Sequence, residues 1–321
     1  MFQIEKYGWK YQSYKKNGKI RFDVVPPEEL IPNDTLFRYY SSSQYSIDSV
    51  INNYLYASHP DQFNDIYDCH EDLFDFDDDE AVVHFLSGGN EEGVKDFKRA
   101  LALDRQNVIQ GAQRNFRQAL YRKLGIVCMT SNPNNILMWS YYTNNRGFLV
   151  EYAYKELQFD YHGPFPINYQ DDLQKLSLNE VPMPLCVLFQ SNIKHKGWEH
   201  ESEWRILIEN PNGEMNSPDL FPELLDLGGE ERKFTYPISA VKSIVLGHYF
   251  IEPRELKILN DKVFEITILK NNDRVKLLDY IATNSIIAGY TTRQSDLKNV
   301  AYFKGKIKKI EECKYHFERL E

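Results

Sequence analysis

Residues 91–130, EEGVKDFKRALALDRQNVIQGAQRNFRQALYRKLGIVCMT, change period partway along. Up to Leu124 the apolar positions Val94, Phe97, Leu101, Val108, Ala112, Phe116, Leu120 and Leu124 recur at helical spacing. The spacing predicts one long helix over about 91–124, broken near Gly111, where glycine weakens helical backbone. From Ile126 the pattern becomes a short apolar run that reads as a strand. Further runs of that kind follow at 147–152, 185–190, 204–209, 241–246 and 263–269. Upstream, 19–25, 35–40 and 54–58 are also strand-like, and Ser41-Ser42-Ser43 caps a helix through Asn52. Shorter helices are expected at 134–142 and 253–261. Strands outnumber helices and do not alternate with them. That order predicts an α+β fold with a central, mostly antiparallel or mixed sheet and flanking helices, not a doubly wound one. No linker rich in Pro, Gly or Ser divides residues 1–321, so a single domain is expected, with residues beyond about 275 as a C-terminal appendage.

The chain carries 47 acids and 38 bases, a formal charge of −9. Ten of the acids lie between Asp61 and Glu80, a stretch without Lys or Arg; setting them aside leaves 37 acids against 38 bases. The body is thus near-neutral, which leaves room for a dinucleotide or nucleic-acid ligand, and the acidic stretch is expected to form a mobile, solvated flap. No apolar run approaches the ~18 residues of a membrane span, and Met1–Lys6 lacks the order of a secretion signal. The expectation is a cytoplasmic protein without membrane contact. Four scattered cysteines without a CxxC pair argue for buried thiols, not for zinc or disulfides.

Four stretches are dense in reactive groups. In Leu36-Phe37-Arg38-Tyr39 a cation interrupts an apolar strand, and a buried guanidinium needs an anion, either a protein carboxylate or a ligand phosphate. In Ser58-His59-Pro60-Asp61-Gln62-Phe63-Asn64-Asp65, Asn64 and Asp65 either make a turn or orient a substrate. The following acids lack the glycine of a calcium loop. In Met138-Trp139-Ser140-Tyr141-Tyr142 the rings either pack under a sheet or offer a stacking face. In Trp198-Glu199-His200-Glu201-Ser202-Glu203-Trp204-Arg205, the period of two would place Glu201, Glu203 and Arg205 on one face of a strand. Paired carboxylates there suit an oxocarbenium-like transition state, or else form a solvated charged edge.

In this order the four stretches resemble a bacterial family known only by number, the domain-of-unknown-function 2971 family. The matching residues are Leu36–Tyr39, Tyr54–Ser58 with Phe63-Asn64-Asp65, Met138–Tyr142 with Gly147, and Trp198 with Glu201–Arg205. Residues 238–247 are similar to a late strand of that family, so the resemblance covers about 35–261. The layout is also similar to that of ADP-ribosyltransferases. An early strand there holds the dinucleotide, aromatics clamp nicotinamide and a late Glu bonds ribose; no acceptor-site or toxin signature accompanies it here. That resemblance implies an NAD-consuming enzyme in a defence or toxin setting. Arg38, Tyr56 and Ser58 would bind NAD, and Trp139 or Tyr142 would stack on its ring. Glu203 would stabilise the cation and Glu201 position the acceptor. Asn64, Asp65 and Arg205 would orient the substrate, with no metal. Two alternatives stand beside it. One is a metal-dependent nuclease using Asn64, Asp65, Glu201 and Glu203, with Lys95, Lys98, Arg99 and Arg105 following the nucleic-acid backbone. The other is a binding module docking through the acidic stretch or through Lys304–Lys309, its protein partner unspecified.

Overall fold

In the computed structural model, residues 2–28, 30, 33–209, 229–269, 273–291 and 300–320 are described. An eleven-stranded sheet runs in the order Leu256–Ile258, Val263–Thr267, Lys314–Arg319, Tyr302–Glu311, Ile287–Thr291, Val241–Leu246, Phe148–Tyr152, Leu36–Tyr40, Leu124–Thr130, Glu203–Glu209, His162–Pro166. All neighbours are antiparallel except Val241–Leu246 beside Ile287–Thr291. A parallel pair needs a long crossover. Here the chain makes it through two outer strands and helix 273–283. The sheet is mixed and the fold is α+β, as the order of elements predicts.

The helices are α1 (Gln44–Ile51), α2 (Asp79–Ser87), α3 (Glu91–Lys123), α4 (Ile136–Thr143), α5 (Met183–Gln190) and α6 (Asp273–Thr283). Ser43 caps α1 by accepting the Ser46 N–H, and Asn52 closes it. Alternation along Leu36–Tyr40 sends Leu36 and Tyr40 into a core with α1 and α6, and Phe37 and Tyr39 into a smaller one with α4. A third core joins Phe74, Phe116, Phe189, Ile126 and Leu207 to the N-terminal sheet. That sheet (Gln3–Lys6, Trp9–Lys16, Lys19–Val25) turns at Tyr7-Gly8 and Asn17-Gly18, all four with positive φ, the twist that two-residue hairpin loops require.

Several expectations are corrected. The long helix breaks at Asp104 (φ −155°, ψ 83°), not near Gly111. The Asp104 carboxylate accepts the Asn107 N–H at 3.1 Å and so caps a second helical segment, whereas Gly111 stays helical. The Leu120 and Leu124 side chains lie outside the described residues. The run 185–190 is helical, because Pro182 and the proline of its first turn suit a helix start, and a short apolar run does not reveal its own period. Residues 253–261 form one 3₁₀ turn and then a strand. The C-terminal residues are no appendage: they supply α6 and three strands inside the large sheet.

The acidic stretch is no solvated flap. Phe74 and Phe76 bury themselves in the third core, and Asp78 caps α2. Arg105 of α3 meets Asp79 at 2.8 Å, Lys98 meets Glu80 at 3.4 Å and Arg117 meets Glu71 at 3.6 Å. The basic side of α3 that the nuclease alternative needed is thereby partly neutralised within the fold. Among the described residues no helix is long and apolar enough to cross a membrane.

Candidate functional site

The site begins with a fault in the sheet. Leu36–Tyr40 pairs along its whole length with Phe148–Tyr152, and Leu124–Thr130 along its whole length with Glu203–Glu209. Between these two pairs, only Phe37 and Thr130 face each other as partners. Beyond that point the strands part, and Ser58 slips in beside Ile126, exchanging two backbone bonds of 2.8 and 3.0 Å. Gly125 permits the approach, since a Cβ there would sit 2.6 Å from the Ala57 Cβ. A cavity of about 240 Å³ opens at the split. Three consecutive residues of each parted strand line it, Phe37-Arg38-Tyr39 and Cys128-Met129-Thr130, so it occupies the gap between strands and not one face.

At one wall lies a buried ionic network. Arg205, 1% exposed, uses all five guanidinium donors. Its Nε and Nη2 reach Glu203 at 2.7 and 3.2 Å; Nη1 and Nη2 reach Asp68 at 2.8 and 2.5 Å; Nη1 also reaches the Ser191 carbonyl at 2.9 Å. Lys194 Nζ donates to Glu201 at 2.6 Å and to Glu203 at 3.3 Å, and pairs with Asp68 at 3.7 Å. Trp198 covers that ammonium at 4.8 Å. Tyr142 donates to the other Glu201 oxygen at 2.5 Å and accepts from Asn64 at 3.1 Å.

Burial alone would raise the Glu203 carboxyl. The charges of Arg205 and Lys194 outweigh that and hold it down at about 2. Burial would likewise favour neutral Lys194, but Glu203, Asp68 and Glu201 reverse this and raise its pKa, so it is an ammonium and not a nucleophile. Burial, and then Glu201, raise the Tyr142 phenol, which therefore stays a donor. Three carboxylates thus stand against two cations on the same wall.

The strand reading of the late motif holds for Glu203 and Arg205 and fails for Glu201. Residues 196–201 form a 3₁₀ turn, and Ser202 adopts a left-handed conformation (φ 46°) that redirects the chain into the strand. Glu201 and Glu203 meet through Lys194 instead. Of the residues picked from sequence, Arg38, Ser58, Asn64, Tyr142, Glu201, Glu203 and Arg205 all line the cavity. Tyr56 does not line it; its carbonyl accepts two Arg38 N–H bonds at 3.4 Å. Asp65 is turned aside to accept the Tyr67 N–H. Trp139 is wholly buried, edge-on to Tyr39 at 5.3 Å, with its Nε1 donating to the Pro133 carbonyl, and it offers no stacking face. Asp68 and Lys194 were missed. Asp68 looks like one more member of an acidic run, and Lys194 stands in Ile193-Lys194-His195 without a local pattern to mark it.

Arg38 differs from Arg205. Its guanidinium stacks over Tyr40 at 5.5 Å, holds the Tyr56 carbonyl weakly, and makes no ion pair among the described residues. Nor is any group of three His, Cys, Asp or Glu side chains among them arranged to hold a metal ion. The space between Asp68, Glu201 and Glu203 is taken by the Lys194 ammonium. Compared with protein-family models, curated proteins and solved structures, the chain finds no match.

Proposed function

We propose that the cavity binds a nucleotide and breaks its N-glycosidic bond, with NAD as the substrate and an ADP-ribosyl group transferred to an acceptor or to water. One observation carries this reading: a single cavity is lined both by an arginine with no carboxylate partner among the described residues and by a wall with more carboxylates than cations. Such a cavity suits a ligand that is anionic at one end and develops positive charge at the other. The strands of Arg38 and Glu203 are separated by Leu124–Thr130 and part beyond Phe37, so at least about 10 Å lies between them, enough for a ribose between a phosphate and a ring. Phe37, Phe63, Met129 and Met138 supply apolar contacts between those ends.

Arg38 holds the pyrophosphate. The bond between ribose C1′ and the nicotinamide nitrogen breaks, its electron pair leaves with nicotinamide, and the carboxylate wall stabilises the oxocarbenium ion. The acceptor's lone pair then forms the new bond to C1′, and its proton passes to Glu201. Glu201 takes this role in preference to Glu203. Both Glu203 oxygens are engaged by Arg205, Lys194 and Cys128, whereas each Glu201 oxygen has one partner and a lone pair to spare. Glu203 then acts as a positioning residue, fixing Lys194 and through it Glu201.

Incubation with NAD, with nicotinamide followed by chromatography, tests the proposal. Release by wild type and a fall of about 10²-fold or more in Glu201→Gln are expected. No release from wild type, or equal release from the variant, overturns it. The setting of such an activity, in defence or as a toxin, follows from the resemblance to ADP-ribosyltransferases.

A further inference from the structure

One amide in the cavity has an edge to spare. Asn64 lines the cavity and is exposed to solvent, between two residues that the fold holds in place. The Phe63 ring lies against the Arg205 guanidinium at 5.1 Å, and the buried Asp65 carboxylate accepts the Tyr67 N–H at 3.0 Å. Chemistry fixes which way the Asn64 amide points. Tyr142 has one hydroxyl proton and gives it to Glu201 at 2.5 Å, so toward Asn64 the phenol oxygen can only accept. Asn64 therefore turns its NH₂ group to Tyr142, at 3.1 Å, and its Oδ1 away. Oδ1 and the second N–H have no partner among the described residues.

We infer that Asn64 determines which ring the site accepts as leaving group, its Oδ1 taking an N–H of the nicotinamide carboxamide. This deepens, and rests on, the reading of the cavity as an NAD site. An accepting oxygen beside a donating N–H is the edge that a neutral planar amide complements and that a carboxylate or a ketone does not. A site built to bond an N–H rejects the analogue lacking it, because its own acceptor is then left unpaired. Adenine also carries an amino group, and position decides between the two rings. One shared phenol links Asn64 to Glu201, at the end of the cavity where the bond breaks. Adenine lies at the other end, beyond the pyrophosphate held by Arg38. Asn64 thus meets the departing ring and leaves the ADP-ribosyl half untouched.

The test is a binding measurement that needs no bond cleavage. Titration calorimetry on the full chain first saturates the protein with ADP-ribose, then adds nicotinamide or 3-acetylpyridine, its uncharged analogue with methyl in place of the amino group. Being neutral, the analogue is not repelled by the carboxylate wall. Nicotinamide is expected to bind about 3- to 10-fold more tightly, the worth of one neutral hydrogen bond. In Asn64→Ala the two ring compounds should bind alike, while ADP-ribose binds as it does to wild type. The assignment is overturned if wild type does not distinguish the two compounds, or if Asn64→Ala keeps the preference. It is also overturned if Asn64→Ala weakens ADP-ribose as much as nicotinamide, because Asn64 then reads adenine. Failure of ADP-ribose to bind wild type strikes the NAD reading, and this assignment with it. A preference that depends on Asn64, without nicotinamide release from NAD, overturns the cleavage step alone.

Discussion

Replacing Lys194 with methionine keeps most of the side-chain volume and removes one charge. The ammonium lies 2.6 Å from Glu201, 3.3 Å from Glu203 and 3.7 Å from Asp68, all buried. Without it, three carboxylates share the single guanidinium of Arg205. Removing one partner of a buried ion pair costs about 3–5 kcal/mol, because the remaining charge is left uncompensated. At about 2.1 cal/mol/K per residue for the entropy of unfolding, a chain of 321 residues shifts by roughly 1.5 °C per kcal/mol. Melting at pH 7, followed by circular dichroism, should therefore fall by about 4–8 °C. Acidification should narrow the deficit, because protonating one of three carboxyls crowded around a single cation relieves the repulsion left by the lost ammonium. A Lys194→Met protein that melts within 1 °C of wild type at pH 7, or whose deficit widens as pH falls, would refute the network's energetics.

Glu203 sets the opposite slope in the wild type. Its pKa is lowered to about 2, so its stabilisation is complete above the unfolded value near 4.5 and is lost as pH falls toward 2. Glu203→Gln should consequently melt with a shallower acid slope over that window; parallel slopes would count against it. Trp139→Ala should cost about 3–5 kcal/mol as a core truncation, while Tyr142→Phe, losing a hydrogen bond to Glu201, should cost about 1–3 kcal/mol yet lower nicotinamide release at least about 10-fold. Equal stability losses in the two would argue against the separation of core from site. Gly125→Ala should push the Ala57 segment away from Ile126, destabilising by about 1–3 kcal/mol and weakening nucleotide binding in a titration; unchanged binding would disconnect the split from the site.

Six strands of the large sheet were legible because their apolar runs are bounded by turn residues, and α1 because Ser43 and Asn52 mark its ends; the strands at 162–166, 287–291, 302–311 and 314–319, poorer in such runs, were not. Tertiary context decided the rest. Residues 185–190 carry too few positions to distinguish a helix from a strand. Asp104 breaks α3 by capping from within, which looks from sequence like an ordinary polar position. Arg38 stood out because charge inside an apolar strand demands a partner, and Glu201, Glu203 and Arg205 because a spacing of two sets paired carboxylates beside a cation. Asp68 and Lys194, the partners themselves, carry no such contrast with their neighbours. The run of acids read as one solvated block divides by role: Asp68 goes into the network, Asp78 to a helix cap, and Glu71, Asp79 and Glu80 to the basic side of α3. A count of charges cannot make that division.

The central claim is that Arg38 and Glu201 act on opposite ends of one ligand. Steady-state kinetics of nicotinamide release from NAD by Arg38→Ala, Glu201→Gln and the double variant test it most directly. Arg38→Ala should raise KM about 10-fold or more with kcat largely kept, because it removes binding to the phosphate. Glu201→Gln should lower kcat by about 10²-fold with KM little changed. Loss of kcat alone in both variants, or a KM unaffected by Arg38→Ala, would contradict the account.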